Sequence, residues 1–448
     1  MDEYLKLLLE QIRCTKARPY IKQELQDHME DQIAENMKAG MDHEQAEKEA
    51  VRDMGDPVET GISLDSIHRP QAAWKLLGII IFISIAGVLI HAGISGKASE
   101  NAAAGSDRYV FHVMIGLAVM MILYLLDYTV LAKFSKIIAA VLLAVCLLVI
   151  LEGGQVNGAR IFISLPGGRR GMDVQKLMLF YVPIYGAILY KYRDGGFSAL
   201  LKSIVWLIIP VFITFRMPNL IVAIIMMISM LIQLTVAILK GWFKISVKKT
   251  IVSLWAVFMF LPIMLLFVMY TFHLLAEYQE ARIRSFFSAS GEGFYLTSIL
   301  RTFSKDILFV GNSGNDVIGS LPEFNSDYIF SYILNSYGSI AGIVVVAVLA
   351  ALVMFIFGAS IKQKNELGMV MGFGCGMIIL LNILLNLLGA LGIIPPASSF
   401  LPFLSIGRSN ILLCYALVGI IMSIYRYKDV YPKKIRASQV SFQKTINI

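Results

Sequence analysis

A long polar interval, from Glu277 to Ser331, lies between two long apolar runs. It mixes glycines and aromatic residues with charged side chains, among them Arg282, Glu292 and Asp327. Carboxylates can take up protons, and arginine binds anions well. Because charged groups are costly in the hydrocarbon core of a membrane, this interval is where aqueous chemistry or recognition is expected. The rest of the chain must then hold it at one face of a bilayer.

The composition indicates a polytopic helical membrane protein. Of the 448 residues, 57% are hydrophobic and 16% are charged, and the mean hydropathy is +0.71. An ordinary water-soluble domain of this length does not have such values. The four cysteines show neither CxxC spacing nor histidine neighbours. We therefore expect them to be packing residues rather than metal ligands or disulfide partners.

The charge distribution divides the chain at residue 72. Residues 1–72 contain 16 Asp/Glu and 9 Lys/Arg, a net charge of −7, whereas the remainder has a net charge of +15. Helical periodicity predicts three short helices in this small soluble N-terminal domain, the last ending at Gly55-Asp56-Pro57. The sequence resembles the prefix domain attached to various bacterial permeases. Its expected role is either a packed appendage that aids folding or dimerises, or a docking domain for signals or partners.

Apolar runs of about twenty residues, the length that spans a bilayer, recur ten times after Ala73. The predicted spans are 74–95, 110–131, 134–151, 174–191, 198–215, 219–239, 250–274, 328–358, 368–392 and 409–425. If the first span starts in the cytoplasm, Lys and Arg fall at every cytoplasmic connection, as the positive-inside rule requires. The sequence therefore predicts an all-α, polytopic membrane protein of ten transmembrane helices with both termini in the cytoplasm.

Three segments follow from this topology. Residues 1–72 are the acidic prefix domain, residues 73–426 are the membrane domain, and residues 427–448 are a basic cytoplasmic tail. A large extracytoplasmic loop, 275–327, belongs to the membrane domain. In the ninth span, Gly368, Gly372 and Gly376 recur every four residues, a spacing that favours close helix packing over ligand binding.

Motifs on the predicted outer face resemble the shape, elongation, division and sporulation (SEDS) family, the group that contains RodA, FtsW and SpoVE. The resemblance covers about residues 74–426. Its sharpest part is Leu321-Pro322-Glu323 with Asp327-Tyr328-Ile329-Phe330, similar to the family's LPE...TDFIF run. Gly392-Ile393-Ile394-Pro395 with Leu401-Pro402-Phe403-Leu404-Ser405 is similar to its GLLP...LPFLSYGGS run. Asn386 also precedes Pro395 by the family's spacing. The resemblance implies the bacterial plasma membrane.

Looser matches extend the resemblance along the outer face. Asn157-Gly158-Ala159-Arg160, with Asp173 and Lys176 further on, resembles the segment NG.RRWI...PSE..K. Arg282 stands where an Arg opens the family's large loop. Asn219 replaces a family Asp, and Asn335-Ser336 replaces an acidic pair.

What the resemblance implies is peptidoglycan synthesis in cell shape, division or sporulation. SEDS polymerases join lipid-linked disaccharides (lipid II): an acceptor hydroxyl attacks the anomeric carbon of the donor, and polyprenyl pyrophosphate leaves. This needs a carboxylate base, cations at the pyrophosphate and an apolar groove. The implied catalytic candidates are Glu292, Glu323 and Asp327. The implied substrate-binding residues are Arg160, Lys176, Arg282, Asp173, Asn386 and Ser405. No metal ligands are indicated, and a divalent cation at the pyrophosphate is left open.

Each of these residues also has a purely structural interpretation. The cations can be interfacial side chains that snorkel to lipid head groups. Glu292 can be a solvated turn residue, and Glu323 and Asp327 can cap a helix start beside Pro322. Asp173 and Lys176, three residues apart, can form an ion pair that locks the loop.

One departure from the family keeps three functions open. Family polymerases carry an essential Asp in a loop segment like DP..DPLGAGY, whereas residues 288–295 read SASGEGFY and contain no Asp. The chain is therefore either a peptidoglycan glycosyltransferase, a non-catalytic relative that binds the precursor or a partner transpeptidase, or a flippase or transporter. The expected partners are the lipid-linked precursor and a single-pass transpeptidase, a class B penicillin-binding protein. Nucleic acid is not an expected partner.

Overall fold

The computed structural model describes residues 1–97, 100–156, 159–165, 169–217, 219–273, 299–300, 307–311, 324–394 and 398–433. Of the residues predicted to act in the site, Arg282, Glu292 and Glu323 lie outside these ranges.

The N-terminal segment contains four helices, not the three that periodicity predicts. They are α1 (Asp2–Gln11), α2 (Arg18–Lys38), α3 (His43–Asp53) and α4 (Pro57–Ile67). The Gly55-Asp56-Pro57 stop does end α3, but it also starts α4. Asp56 accepts hydrogen bonds from the N–H groups of Val58 and Glu59, and proline is favoured at the first helical position because its ring fixes a helical φ. One motif therefore serves as both the end and the beginning of a helix.

The remaining helices follow the apolar runs. They are α5 (Trp74–Lys97), α6 (Glu100–Leu125), α7 (Tyr128–Lys133), α8 (Ser135–Glu152), α9 (Val174–Leu177), α10 (Tyr181–Lys191), α11 (Phe197–Phe215), α12 (Leu220–Leu239), α13 (Val247–Thr271), α14 (Ile329–Ile361), α15 (Glu366–Ala390) and α16 (Arg408–Arg426). Within the described residues, eight of these are long and apolar enough to cross a membrane: α5, α6, α8, α11, α12, α14, α15 and α16. The chain is a multi-pass helical membrane protein.

The predicted fourth span, 174–191, is not a single α-helix. It consists of the short α9, a 3₁₀ turn over Met178–Phe180 and then α10. Nearly all of α10 is buried, from Tyr181 to Tyr190. The predicted seventh span, 250–274, falls largely within α13, which has 25 residues.

The protein is mostly helical, as the all-α prediction expects, and one small three-stranded antiparallel sheet is added to the helices. Its strands are β1 (Gly154–Val156), β2 (Ala159–Leu165) and β3 (Arg169–Asp173), paired in the order β1-β2-β3. In the sequence this segment lies in a polar connection between two spans. Strand β3 is followed directly by α9.

The core is centred on α15 and α16, most of whose residues are buried. The close packing predicted for the glycines of α15 is confirmed. A Cβ at Gly372 would lie 2.3 Å from the Ser360 hydroxyl of α14, and one at Gly376 would lie 3.0 Å from Ile356. Such approach between helices requires small residues. The four cysteines are free, and three of them are buried, which agrees with packing roles.

Helix α14 bends at Gly338, whose φ of 85° is in the left-handed region that favours glycine. A described piece of the large loop, residues 307–311, packs against this bend. The N–H of Ser339 donates to the Leu308 carbonyl at 3.0 Å. A Cβ at Gly338 would lie only 2.8 Å from the Phe309 carbonyl oxygen. The bend therefore leaves room for the loop to approach the helix backbone.

Candidate functional site

The corner between β3 and α9 places Asp173 at one end of the bundle. Its carboxylate caps α9 by accepting a hydrogen bond from the Lys176 N–H at 3.2 Å. Its own N–H donates to the Ser409 hydroxyl at 2.8 Å, in the first turn of α16. Burial raises the pKa of Asp173 above its usual value, and the charge of Lys176 and two backbone N–H groups oppose that rise only in part. Asp173 thus joins the sheet corner to the start of α16.

Lys176 lies at this corner with its side chain half-buried. The structural alternative for these two residues is an ion pair, but the contact that forms is a helix cap, in which the Asp173 carboxylate accepts from the Lys176 backbone N–H. The ammonium group still acts on Asp173 through its charge. A lysine charge at the end of a bundle, beside the sheet, can contact an anionic ligand.

Arg160 lies on β2, the strand next to Asp173. Phe162, two residues further along β2, pairs with Asp173 of β3. The Arg160 side chain is exposed, and its guanidinium donates to the Leu151 carbonyl in the last turn of α8. A guanidinium has five N–H donors, so this contact orients the side chain and leaves other donors for an anion.

Asn386 and Ser405 converge on the turn formed by residues 324–328. The Asn386 side chain donates to the carbonyls of Asp327, at 2.8 Å, and Ser399, at 3.2 Å. The Ser405 hydroxyl donates to the Ser326 carbonyl at 2.7 Å. Both side chains are almost fully buried. These two predicted substrate-binding residues therefore position the turn that carries Asp327.

Asp327 occupies that turn immediately before α14 begins at Ile329. The Ser326 hydroxyl approaches its Oδ1 at 3.5 Å. The Ile406 N–H donates to the Asn325 carbonyl at 3.0 Å. The backbone around Asp327 is thus held from α15 and from the segment before α16, a suitable arrangement for a carboxylate that must keep one position.

Several buried polar residues of the site were not found by sequence reasoning. Gln175, 1% exposed, donates to the carbonyls of Thr214 and Asn219 and so ties α9 to the turn before α12. His91 bonds the Leu404 carbonyl at 2.9 Å, and Tyr109 donates to the Phe403 carbonyl. Polar residues inside or beside apolar runs are costly without partners. A polar residue in such a run therefore indicates, from the sequence alone, that a hydrogen-bond partner lies nearby.

Asn219, which stands where the family has an Asp, keeps a structural role in this chain. Its side chain accepts a hydrogen bond from the Ile221 N–H at 3.2 Å and caps α12. Asparagine and aspartate cap helices about equally well. The replacement therefore preserves the helix start while removing a charge.

Two side-chain oxygens at the site are buried without a hydrogen-bond partner in the described structure, those of Asn386 and Asn410. Buried polar atoms are normally paired, so each of these oxygens keeps an unused acceptor among the described residues. No group of three His, Cys, Asp or Glu side chains that could hold a metal ion occurs within the described ranges. The divalent cation at a pyrophosphate stays a prediction.

Comparison with known proteins gives the family. The protein-family model for FtsW, RodA and SpoVE, described as "Cell cycle protein", matches residues 68–430. The chain belongs to this family. The match begins near the end of the N-terminal helices and continues past α16, so it includes every element of the candidate site.

Curated relatives of the family match most of the chain. A probable peptidoglycan glycosyltransferase FtsW from Aliivibrio salmonicida is 24% identical over 403 residues, which are 86% of this chain and 96% of the relative. The protein of the same name from Enterococcus hirae is 27% identical over 398 residues, 84% of this chain and 97% of the relative. The FtsW likeness therefore runs through nearly the whole length of both relatives.

Solved structures show the same fold. One, described as "Structural coordination of polymerization and crosslinking by a peptidoglycan synthase complex", superposes with a TM-score of 0.64 at 16% identity and covers 80% of this chain and 98% of its own. The rod shape determining protein RodA of Thermus thermophilus superposes with a TM-score of 0.57 at 15% identity, covering 80% and 97%. At this identity the likeness establishes the fold.

Proposed function

We propose that this chain is a SEDS glycosyltransferase that polymerises a lipid-linked disaccharide into glycan strands. The observation that carries the proposal is the family match over residues 68–430, with relatives named as probable peptidoglycan glycosyltransferases. The candidate site supports it, because charged and hydrogen-bonding residues gather at one end of an otherwise apolar bundle. A lipid tail can lie in the membrane while its pyrophosphate and sugars reach this end.

The cations of the site are proposed to hold the pyrophosphate of the donor. Arg160 is oriented by its contact with the Leu151 carbonyl, and Lys176 lies beside the capping carboxylate of Asp173. Arg282, from the large loop, completes the set that the family resemblance implies. Charge that develops on the leaving pyrophosphate is stabilised by such donors.

The base is proposed to be a carboxylate of the large loop or of the turn before α14. Glu292 replaces the missing loop Asp and has one more methylene with which to reach the acceptor. Glu323 and Asp327 are the other two candidates, and the backbone of Asp327 is held by Asn386. Removing a positioned general base typically costs about 10²–10⁴-fold in rate.

Replacement of each carboxylate by its amide tests this assignment. In a strand-formation assay with lipid-linked disaccharide, Glu292→Gln should abolish most synthesis while leaving precursor binding unchanged. If Glu292→Gln stays fully active, the base is Glu323 or Asp327, and Glu323→Gln and Asp327→Asn decide between them. If all three variants polymerise at the wild-type rate, the proposed mechanism is wrong.

A second candidate is a non-catalytic relative that binds the precursor or a partner transpeptidase. The observation that favours it is the segment 288–295, which lacks the family Asp. The two candidates predict different results in one experiment. A non-catalytic relative binds the lipid-linked disaccharide but releases no polyprenyl pyrophosphate, whereas the polymerase releases it with each bond formed.

The proposed architecture has ten spans in the bacterial plasma membrane, both termini in the cytoplasm, and a division at residues 72 and 426. It adds the 174–191 and 250–274 segments to the eight described candidate helices. Cysteines introduced at exposed helix ends test it. Glu152→Cys should react with an impermeant reagent from outside and Lys240→Cys should not; the reverse pattern would invert the orientation.

The proposed partner is a single-pass transpeptidase of the class B penicillin-binding proteins. The solved structure with the higher TM-score of those compared above is described as a peptidoglycan synthase complex, and this supports the proposal. Copurification with such a transpeptidase, compared with an unrelated single-pass protein of equal length, tests it. Equal recovery of both proteins would show that the chain does not bind the transpeptidase specifically.

A further inference from the structure

The end of the bundle opposite the candidate site contains a buried carboxylate, Asp127, which is 4% exposed. It lies between α6 and α7 and caps α7 by accepting from the Thr129 N–H at 2.9 Å. Its other oxygen accepts from the Lys16 ammonium at 2.7 Å and from the Tyr431 hydroxyl. A buried carboxylate is costly without a partner. The cation that supplies this partner, Lys16, lies in the connection between α1 and α2.

Aromatic rings enclose the ion pair. The Lys16 ammonium lies 4.5 Å from the centroid of the Tyr427 ring and donates to its hydroxyl at 3.2 Å. The Tyr20 ring meets the Tyr431 ring edge-on at 5.8 Å. Cation–π contacts of this kind favour one orientation of the lysine. We call Lys16, Tyr20, Asp127, Tyr427 and Tyr431 the N-terminal joint.

The N-terminal joint contains a charged lysine paired with a buried carboxylate at the edge of the bundle. Burial lowers the pKa of Lys16, but its hydrogen bond to Asp127 and the charge of that carboxylate outweigh this and raise the pKa above 10.5. The lysine is therefore charged at neutral pH. Its side chain is still 43% exposed, whereas that of Asp127 is 4% exposed, so the pair is open to solvent on the lysine side.

A second contact attaches the N-terminal helices to the end of α16. The Gln71 N–H donates to the Arg426 carbonyl at 2.9 Å, and the Gln71 side chain donates to Asp429 at 3.0 Å. Gln71 lies between α4 and α5. Both connections of the N-terminal helices thus include a contact at the C-terminal end of α16, the first to Tyr427 and the second to Arg426 and Asp429.

Helix α16 links the joint to the candidate site. Near its C-terminal end, the Ser423 hydroxyl donates to the Leu126 carbonyl at 2.7 Å and accepts from the Tyr128 N–H at 3.0 Å, on both sides of Asp127. In its first turn, Ser409 accepts from the Asp173 N–H. With a rise of 1.5 Å per residue, these two serines are about 21 Å apart along one helix. A packed helix passes a small shift from one end to the other.

We propose that the N-terminal helices are a regulatory domain that docks on Asp127 through Lys16, and that docking sets the position of α16 and of its contact with Asp173. This goes beyond the proposed function, because it holds whichever reaction the site performs. A factor that binds the acidic N-terminal helices can then act on the opposite face of the membrane by strengthening or releasing the joint.

A cysteine of the chain itself reports on docking. Cys14 lies two residues before Lys16 and is half-buried, whereas the other three cysteines are buried. Purified full-length protein is labelled with a maleimide in two variants, Lys16→Met and the control Lys22→Met, in which an exposed lysine of α2 is replaced. Loss of one partly buried charge-assisted contact should make Cys14 labelling about tenfold faster in Lys16→Met. Asp127→Asn, which keeps a capping side chain, should add little to the rate in the Lys16→Met background.

Hydrogen exchange tests the second half of the proposal in the same proteins. The amide of Asp173, which donates to Ser409, should exchange faster in Lys16→Met than in Lys22→Met. Equal Cys14 labelling in the two variants would overturn docking through Lys16. Faster labelling with unchanged exchange at Asp173 would overturn the control of α16. Neither readout depends on glycan synthesis, so failure here is distinct from failure of the proposed function.

Discussion

The side-chain amide of Asn386 donates a 2.8 Å hydrogen bond to the backbone carbonyl of Asp327, across 59 residues of chain. Ser405 makes the equivalent contact with the preceding residue, Ser326, at 2.7 Å. Two side chains from different segments therefore fix consecutive carbonyls of one turn. The position of the Asp327 carboxylate depends on them.

Asn386→Ala should loosen this turn. The change leaves the buried Asp327 carbonyl without its donor, which costs about 1–3 kcal/mol. Thermal unfolding and hydrogen exchange over residues 324–331 measure the effect. Asn382→Ala is the matched control, because Asn382 is similarly buried on α15 and donates to Ile378 of its own helix, with no other acceptor among the described residues. Equal exchange over this turn in both variants would show that Asn386 does not hold it.

Lys176→Met should weaken binding of a lipid-linked pyrophosphate. Loss of one charge-assisted contact removes about 1.5–3 kcal/mol, so the dissociation constant should rise by about tenfold or more. Lys202→Met, an exposed lysine in the first turns of α11, serves as the control for net charge. Unchanged affinity in Lys176→Met would leave Lys176 as an interfacial lysine with no role in ligand binding.

Asp173 should make stability depend on pH in a defined direction. Burial raises its pKa above the ordinary value of 3.8, so the folded state binds the proton more tightly than the unfolded state does. As the pH falls through the folded pKa, Asp173 takes up a proton in the folded state first. Its contribution to the free energy of unfolding therefore increases. Relative to Asp173→Asn, the wild type should gain stability between neutral pH and pH 3.8. A difference in melting temperature that is constant across this range would contradict the raised pKa.

Gly419→Ala should destabilise the contact between α16 and α6. A Cβ at Gly419 would lie 2.8 Å from the Met120 carbonyl oxygen and 2.9 Å from the Leu123 Cβ. Overpacking of this kind costs about 1–3 kcal/mol. Gly358→Ala is the control, since nothing lies within 4 Å of its added Cβ, and there the higher helix propensity of alanine should be neutral or stabilising. Similar melting temperatures for the two variants would argue against tight packing of α16 on α6.

The sequence predicted the helical membrane architecture because long apolar runs and Lys/Arg placement are local signals. It missed β2 because a seven-residue strand between two spans reads as part of a polar connection. It also missed α4, because Asp56-Pro57 was interpreted only as a helix stop. In both cases one short pattern is compatible with two local structures: a polar connection can contain a strand, and Asp56-Pro57 can end one helix and begin the next.

The residues of the candidate site were found by resemblance, whereas their contacts were not predictable from spacing. The Asp173 carboxylate and the Lys176 backbone form a cap, whereas the structural alternative was an ion pair. Asn386 and Ser405 reach the turn of Asp327 from distant segments. The link between Lys16 and Asp127 joins residues 111 positions apart. Long-range pairs of this kind depend on how the helices pack, which no single motif specifies.

The measurement that tests the proposed function most directly is glycan formation by the purified protein from lipid-linked disaccharide, alone and with a single-pass transpeptidase. A parallel reaction with a family member that carries the loop Asp shows that the conditions support synthesis. The account predicts that this chain extends the disaccharide into strands and releases polyprenyl pyrophosphate. Precursor binding without strands, under conditions in which the control polymerises, would contradict it.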